Sequence, residues 1–241
     1  MVVYNDIWTY SYLFCQIIGY KILDNTNKIL YYTCMLIGIC GLIGNGKGTV
    51  ADYLVENHKF EKLSFADSLK DGVSAVFGWD REMLEGETVQ SRKWREEIDL
   101  FWTKETGRDI TPRLVLQLFG TDCMRNGFFD GIWVSLVKQK ITQNPDKNYV
   151  IPDCRFYNEL QMVTDLGGQA WEVWKSVKRP DWWETAKKDN TENTNNMGKN
   201  HPEVHASEWR WAGWDFDATL NNTGSVDELY EHINQVLNRQ Q

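Results

Sequence analysis

Nine consecutive residues, Gly41-Leu42-Ile43-Gly44-Asn45-Gly46-Lys47-Gly48-Thr49, have the G-x-x-x-x-G-K spacing of a loop that grips polyphosphate. Glycines let the backbone curl until successive N–H groups point inward, and the start of the following helix adds positive potential. Lys47 sets a cation where charge accumulates on the β- and γ-phosphates during transfer. The residue after Lys47 is Gly48, with Thr49 one place later, so the hydroxyl that commonly ligates magnesium is missing from its usual position. A water-mediated magnesium site anchored on a carboxylate elsewhere is therefore expected. Asp153 is the candidate, because it ends a predicted central strand at the carboxyl edge of the sheet, where open α/β folds bind ligands; a helix N-cap role for it is compatible. Arg155, two residues on, is placed to clamp a phosphate bidentately, with Glu159 as its partner at i, i+4.

The elements that must position these residues can be read from hydrophobic period and turn chemistry. Met35 to Cys40 is a short apolar run of the kind found in strands buried on both faces. Val50, Tyr53 and Leu54 fall at helical spacing within 49–57, and Phe60 to Phe65 reads as a second strand. A helix is expected from Ser68 to Phe77. Asp80 to Thr106 is a charged, Trp-containing stretch without a clean period, read as a surface helical insertion. Thr111 and Pro112 suit the N-cap and first position of a helix running to about Met124, and Trp133 to Ile141 offers another helical face. Strands follow at Tyr149–Asp153, Gln169–Trp174 and Phe216–Leu220. Between the last two, Lys187 to Asn200 is asparagine-rich and nearly devoid of apolar residues, and reads as a mobile loop. After the turn Asn221-Asn222-Thr223-Gly224, Ser225 caps a final helix to about Leu237.

Strands alternating with helices imply a three-layer α/β fold with a parallel sheet and right-handed crossovers over residues 35–241, carrying an insertion at about 78–110 and a lid region at about 179–214. Residues 1–34 read as an appendage without a site. They are apolar and aromatic, but Asn5, Asp6, Gln16, Lys21 and Asp24 interrupt them before a membrane-spanning length, and they lack the pattern of a secretory signal.

Composition narrows the classes further. A 241-residue chain with 42% hydrophobic and 25% charged residues is ordinary for a globular protein. Its net charge of −8 disfavours binding to nucleic acid polymers, so phosphate-binding groups must be local. Five cysteines without a C-x-x-C pair indicate neither a disulfide framework nor a zinc ribbon, and fit a reducing cytoplasm. His201-Pro202-Glu203-Val204-His205 is not the zincin pattern and reads as loop histidines.

The G-K-G-T form of the loop resembles that of adenylate kinase-like nucleotide kinases. Beyond the loop, the chain resembles phage-type deoxynucleoside monophosphate kinases over roughly Met35 to Leu237. Further blocks carry the likeness: Phe65-Ala66-Asp67-Ser68-Leu69-Lys70; Arg113, Gln117, Gly120, Thr121 and Asp122 with Arg125 and Trp133; and Pro152-Asp153 with Arg155 and Glu159. The resemblance implies a P-loop kinase that uses ATP and Mg²⁺ to phosphorylate a deoxynucleoside monophosphate, acting on small molecules in the cytoplasm, that of the host if the chain is phage-encoded, with a homodimer left open. It implies that Asp67 and Lys70 begin the acceptor-binding segment and that Arg113, Gly120, Thr121 and Trp133 contact the acceptor. Arg92 and Arg95 match this role less securely. Arg179 would be a lid arginine closing on the γ-phosphate, in the manner of an arginine finger supplied in cis. The lid departs from the family in its asparagine-rich length and its Trp209-Arg210-Trp211-Ala212-Gly213-Trp214 cluster, with His205, Ser207 and Glu208 a weak match to a short family motif. The loop alone also fits a kinase of another small acceptor, such as dephospho-coenzyme A, or an ATP-binding module that transfers nothing.

Overall fold

The computed structural model describes residues 20–23, 29–32, 34–176 and 178–239. Of the segment expected to be an appendage, β1 (Tyr20–Leu23) and β2 (Ile29–Tyr32) form an antiparallel pair with Tyr20 opposite Tyr32, and the rest of it up to Thr33 lies outside the described residues. The chain divides into two compact units, residues 1–63 with 140–241, and residues 64–139.

The first unit is built on a five-stranded parallel sheet. Its strands are β3 (Leu36–Cys40), β4 (Phe60–Lys62), β5 (Asn148–Ile151), β6 (Gln169–Trp174) and β7 (Ala218–Asn221), in the order β4-β5-β3-β6-β7. All five residues of β3 are buried, as a central strand covered on both faces requires. Successive side chains leave a strand on opposite faces. Ile37 and Ile39 join one core with Val50, Ala51 and Leu54 of helix Lys47–His58 and with Leu229, Ile233 and Val236 of helix Val226–Asn238. Gly38, between them, faces helix Tyr157–Asp165 on the other side. A Cβ there would meet Val163 at 2.9 Å and Cys154 at 3.0 Å, so glycine is what lets that helix pack so closely. Helices on both faces make the three-layer arrangement that the sequence predicts.

The final helix starts where Ser225 indicates: its hydroxyl accepts from the Glu228 N–H, and the Glu228 carboxylate accepts in return from the Ser225 N–H. The expectation of a mobile loop at Lys187–Asn200 is corrected. The region contains helices Trp183–Glu192 and Asn196–Asn200. One buried carboxylate organises it: Asp189 accepts from the Thr194 hydroxyl at 2.5 Å, the Asn196 side-chain amide at 2.9 Å and the Met197 N–H at 2.6 Å. Burial alone would raise the Asp189 pKa, but these donors prevail and bring it to about 2. The polar residues that mimic a loop in the sequence are thus the donors that order it.

The second unit has its own core of Val73, Leu84, Ile110 and Val115, with Phe77, Trp79, Trp94 and Trp102 packed against it. The stretch read as a surface insertion is therefore part of a small domain reaching from Ser64 to Gln139. Its tryptophans are structural: Phe77 stacks on Trp79 at 4.7 Å, and the Trp79 indole donates to Asp99, whose other oxygen caps helix Leu100–Thr106 through the Trp102 N–H. Thr111 caps helix Pro112–Gln117 as expected, accepting from the Leu114 N–H. The helix then changes hydrogen-bond pattern and continues as a π-helix over Leu118–Asn126.

Candidate phosphate-binding site

The glycine-rich loop joins the carboxyl end of β3 to helix Lys47–His58. It is latched to β6 and to the turn after β7 by asparagines. The buried Asn45 donates its side-chain amide to the Val173 carbonyl at 3.0 Å, and Asn222 donates to the Asn45 carbonyl at 2.8 Å. Gly46 caps the helix in a left-handed conformation (φ 99°), and a Cβ on it would collide with the Asn222 amide. The loop is thus shaped by contacts at the ends of the strands.

Lys47 folds back over this loop, with its ammonium donating to the Gly41 carbonyl at 2.6 Å and the Leu42 carbonyl at 3.0 Å. Burial and the neighbouring Arg155 charge lower its pKa, while Glu208 and Asp153 act in the opposite sense. Lys47, Asp153 and Arg155 therefore share one electrostatic environment at the carboxyl edge of the sheet, as their positions after β3 and β5 anticipate. The Arg155 guanidinium donates from Nη1 to Glu208 Oε1 at 3.1 Å and to the Ser207 hydroxyl at 3.2 Å. Glu208 Oε2 accepts from the Ile43 N–H of the loop at 3.3 Å. A loop carrying a lysine, with a guanidinium linked to one of its amides, has the groups that hold a polyphosphate and stabilise charge moving across it.

The structure bears on three readings of single residues. Glu159 is buried and accepts from the backbone N–H groups of Arg155 at 2.7 Å and Phe156 at 3.1 Å, so it fixes the turn that presents Arg155. The N-cap of helix Tyr157–Asp165 is Phe156, not Asp153. Arg179 lies against the sheet as a structural clamp: it donates from both Nη atoms to the buried Glu172 carboxylate at 2.6 and 2.7 Å, and its guanidinium sits 3.9 Å from the Trp174 ring centroid and 4.4 Å from that of Trp183. Arg179→Ala should therefore lower stability by about 2–3 kcal/mol, because Glu172 loses its charged partner. Thermal denaturation checks this; unchanged stability with a large loss of turnover would restore the arginine-finger reading.

In the second unit, Arg113, Gln117 and Thr121 lie exposed on helix Pro112–Gln117 and the π-helix after it. Arg113 pairs with Glu96 at 3.0 Å and Arg125 with Asp130 at 3.8 Å. Lys70 and Arg81 both pair with Glu85, and Arg81 reaches Asp67 at 3.6 Å, which places Asp67 and Lys70 in one charged cluster. Trp133 is buried, with its indole donating to the Gly120 carbonyl at 3.1 Å, and Gly120 packs against Leu69; both serve the packing of this unit. Trp209 and Trp211 are buried too, and Trp211 meets Trp183 edge-on at 5.1 Å, so these two tryptophans are core, while Trp214 is half-buried. His205 bonds the Ser207 hydroxyl at 2.9 Å. Glu208, only a weak match in the sequence, and Asn222, there a turn residue, both touch the loop; Glu172, a glutamate among apolar residues inside a predicted strand, carries the sequence signal of a buried ion pair.

No protein-family model matches the chain. A curated protein of Acanthamoeba polyphaga mimivirus, named "Putative deoxynucleotide monophosphate kinase", is 35% identical over 146 residues, 56% of this chain and 70% of the relative. Among solved structures, a Thermus thermophilus protein is similar with a TM-score of 0.44 and 18% identity, covering 86% of this chain and 98% of its own. The dephospho-CoA kinase of Campylobacter jejuni gives a TM-score of 0.41 and 14% identity, covering 85% and 96%.

Proposed function

Because the chain belongs to the deoxynucleotide monophosphate kinase family, we propose that this phosphotransferase moves the γ-phosphoryl group of ATP to a deoxynucleoside monophosphate, giving ADP and a deoxynucleoside diphosphate. The observation that carries this reading is Lys47 folded onto the loop Gly41–Thr49, with Arg155 joined to the Ile43 N–H of that loop through Glu208. An acceptor phosphate oxygen forms a bond to the γ-phosphorus as the bond to the β–γ bridging oxygen breaks, and ADP leaves with that electron pair. The acceptor is already anionic, so the chain needs no nucleophile of its own. Its work is to hold two polyanions in line and offset their charge.

Lys47 is suited to follow charge onto the β- and γ-phosphates, and Arg155 to hold the transferring or acceptor phosphate through paired N–H groups. The loop amides cradle the ATP phosphates. The carboxylate of Asp153, whose field reaches Lys47, fits an outer-sphere anchor for magnesium, with Thr49 in the first turn of the following helix. Bound magnesium supplies further charge neutralisation to the phosphates. We assign acceptor binding to the second unit, through Asp67, Lys70, Arg113, Gln117, Thr121 and Arg125. The π-helix over Leu118–Asn126 supports this assignment, since such segments are frequent at functional sites.

A coupled assay of ADP formation, with ATP and Mg²⁺ and each of a panel of acceptors, tests the reading. Stimulation by one or more deoxynucleoside monophosphates is expected. Stimulation by dephospho-coenzyme A alone, or by no acceptor, would contradict it.

A further inference from the structure

The loop and Arg155 already hold a carboxylate. Glu208 accepts from the Ile43 N–H through one oxygen and from Arg155 through the other, and its charge acts on Lys47. An amide and a guanidinium, two kinds of group that would meet a phosphate, thus each hold one oxygen of a side-chain anion, with the Lys47 ammonium bonded to the carbonyls of the same loop. The scaffold presenting Glu208 is firm. Helix Ala206–Trp209 ends in the buried Trp209, and Asn190 donates to the carbonyls of Trp209 at 3.0 Å and Ala212 at 2.9 Å. The Ser207 hydroxyl accepts from Arg155 beside it, while His205 holds that hydroxyl from the other side. The Glu208 side chain itself is 19% exposed and Arg155 37%, so solvent ions can reach the pair.

We propose that Glu208 is a tethered competitor of nucleotide phosphate: it occupies the anion position between the Ile43 amide and Arg155, and an entering phosphate must displace it. This rests on the reading of Gly41–Thr49 as a phosphate cradle. Until displaced, Glu208 acts as a positioning residue, keeping the Arg155 guanidinium aimed at the loop and then handing it to the phosphate that takes its place. A group that fills a site lowers apparent affinity in proportion to the fraction of molecules in which the site is filled. Neutralising Glu208 should therefore tighten anion binding, whereas loss of a merely structural anchor would weaken it or leave it unchanged.

Isothermal titration with inorganic tripolyphosphate, on the full chain, reads this directly. Glu208→Gln is expected to bind it about five- to tenfold more tightly than the wild type. Glu208→Asp, one methylene shorter and unable to span the Ile43 amide and Arg155 together, should also gain affinity, and it carries the test if Glu208→Gln does not fold. Equal or weaker binding by folded variants, with wild-type binding intact, overturns the competitor role and leaves the cradle standing. If tripolyphosphate binds neither wild type nor variants, both this inference and the cradle reading fail.

Discussion

Lys47→Ala is expected to reduce kcat by about 10²–10³-fold, the size of effect seen when a single group that stabilises transition-state charge is removed. The ammonium lies over the loop it would serve, bonded to the carbonyls of Gly41 and Leu42. Its partial burial disfavours the charged form, as does Arg155 nearby. A cation held at such an electrostatic cost is placed to gain most when phosphate arrives. Its loss should not unfold the protein, because the loop is shaped by Asn45 and Asn222. Steady-state kinetics beside a melting curve checks this: a Tm within a few degrees of wild type with turnover collapsed is the predicted pair. Retention of more than a tenth of wild-type turnover would remove Lys47 from the reaction.

Arg155→Ala should cost about 10²-fold in kcat/KM, and Arg155→Lys should recover little of it, since an ammonium cannot reproduce a planar pair of N–H donors. The guanidinium is oriented from behind: Glu159, buried, fixes the Arg155 backbone N–H, while Ser207 and Glu208 fix the side chain. Removing it also takes a cation from the phosphate position, so part of the loss should appear as weaker ATP binding. Full rescue by lysine would mean that Arg155 contributes only diffuse charge.

The phosphate loop was legible because its chemistry is local. Spacing, glycine content and a following helix all fall within nine residues, and the apolar run before them marks a buried strand. The position of Asp153 and Arg155 was legible through a topological rule, since both come just past a central strand, at the carboxyl edge of the parallel sheet. What could not be read depends on contacts distant in sequence. Arg179 looked like a free cation because its partners are Glu172, inside a strand, and two tryptophans, Trp174 and Trp183. The Asn-rich tract looked mobile because its ordering comes from one buried carboxylate, Asp189, which hydrogen-bonds Thr194 and Asn196. Trp94 and Trp102 looked like surface residues of an aperiodic insertion because their helices are too short to show a period, and Trp79 because it lies between helices.

Phosphorus NMR of the wild-type enzyme with ATP, Mg²⁺ and the best deoxynucleoside monophosphate of the panel follows the transferred group itself. The resonances of ADP and of a deoxynucleoside diphosphate should grow together in equal amounts as those of ATP and the monophosphate decline. ADP accompanied by inorganic phosphate, with the monophosphate unchanged, would contradict phosphoryl transfer between two bound nucleotides.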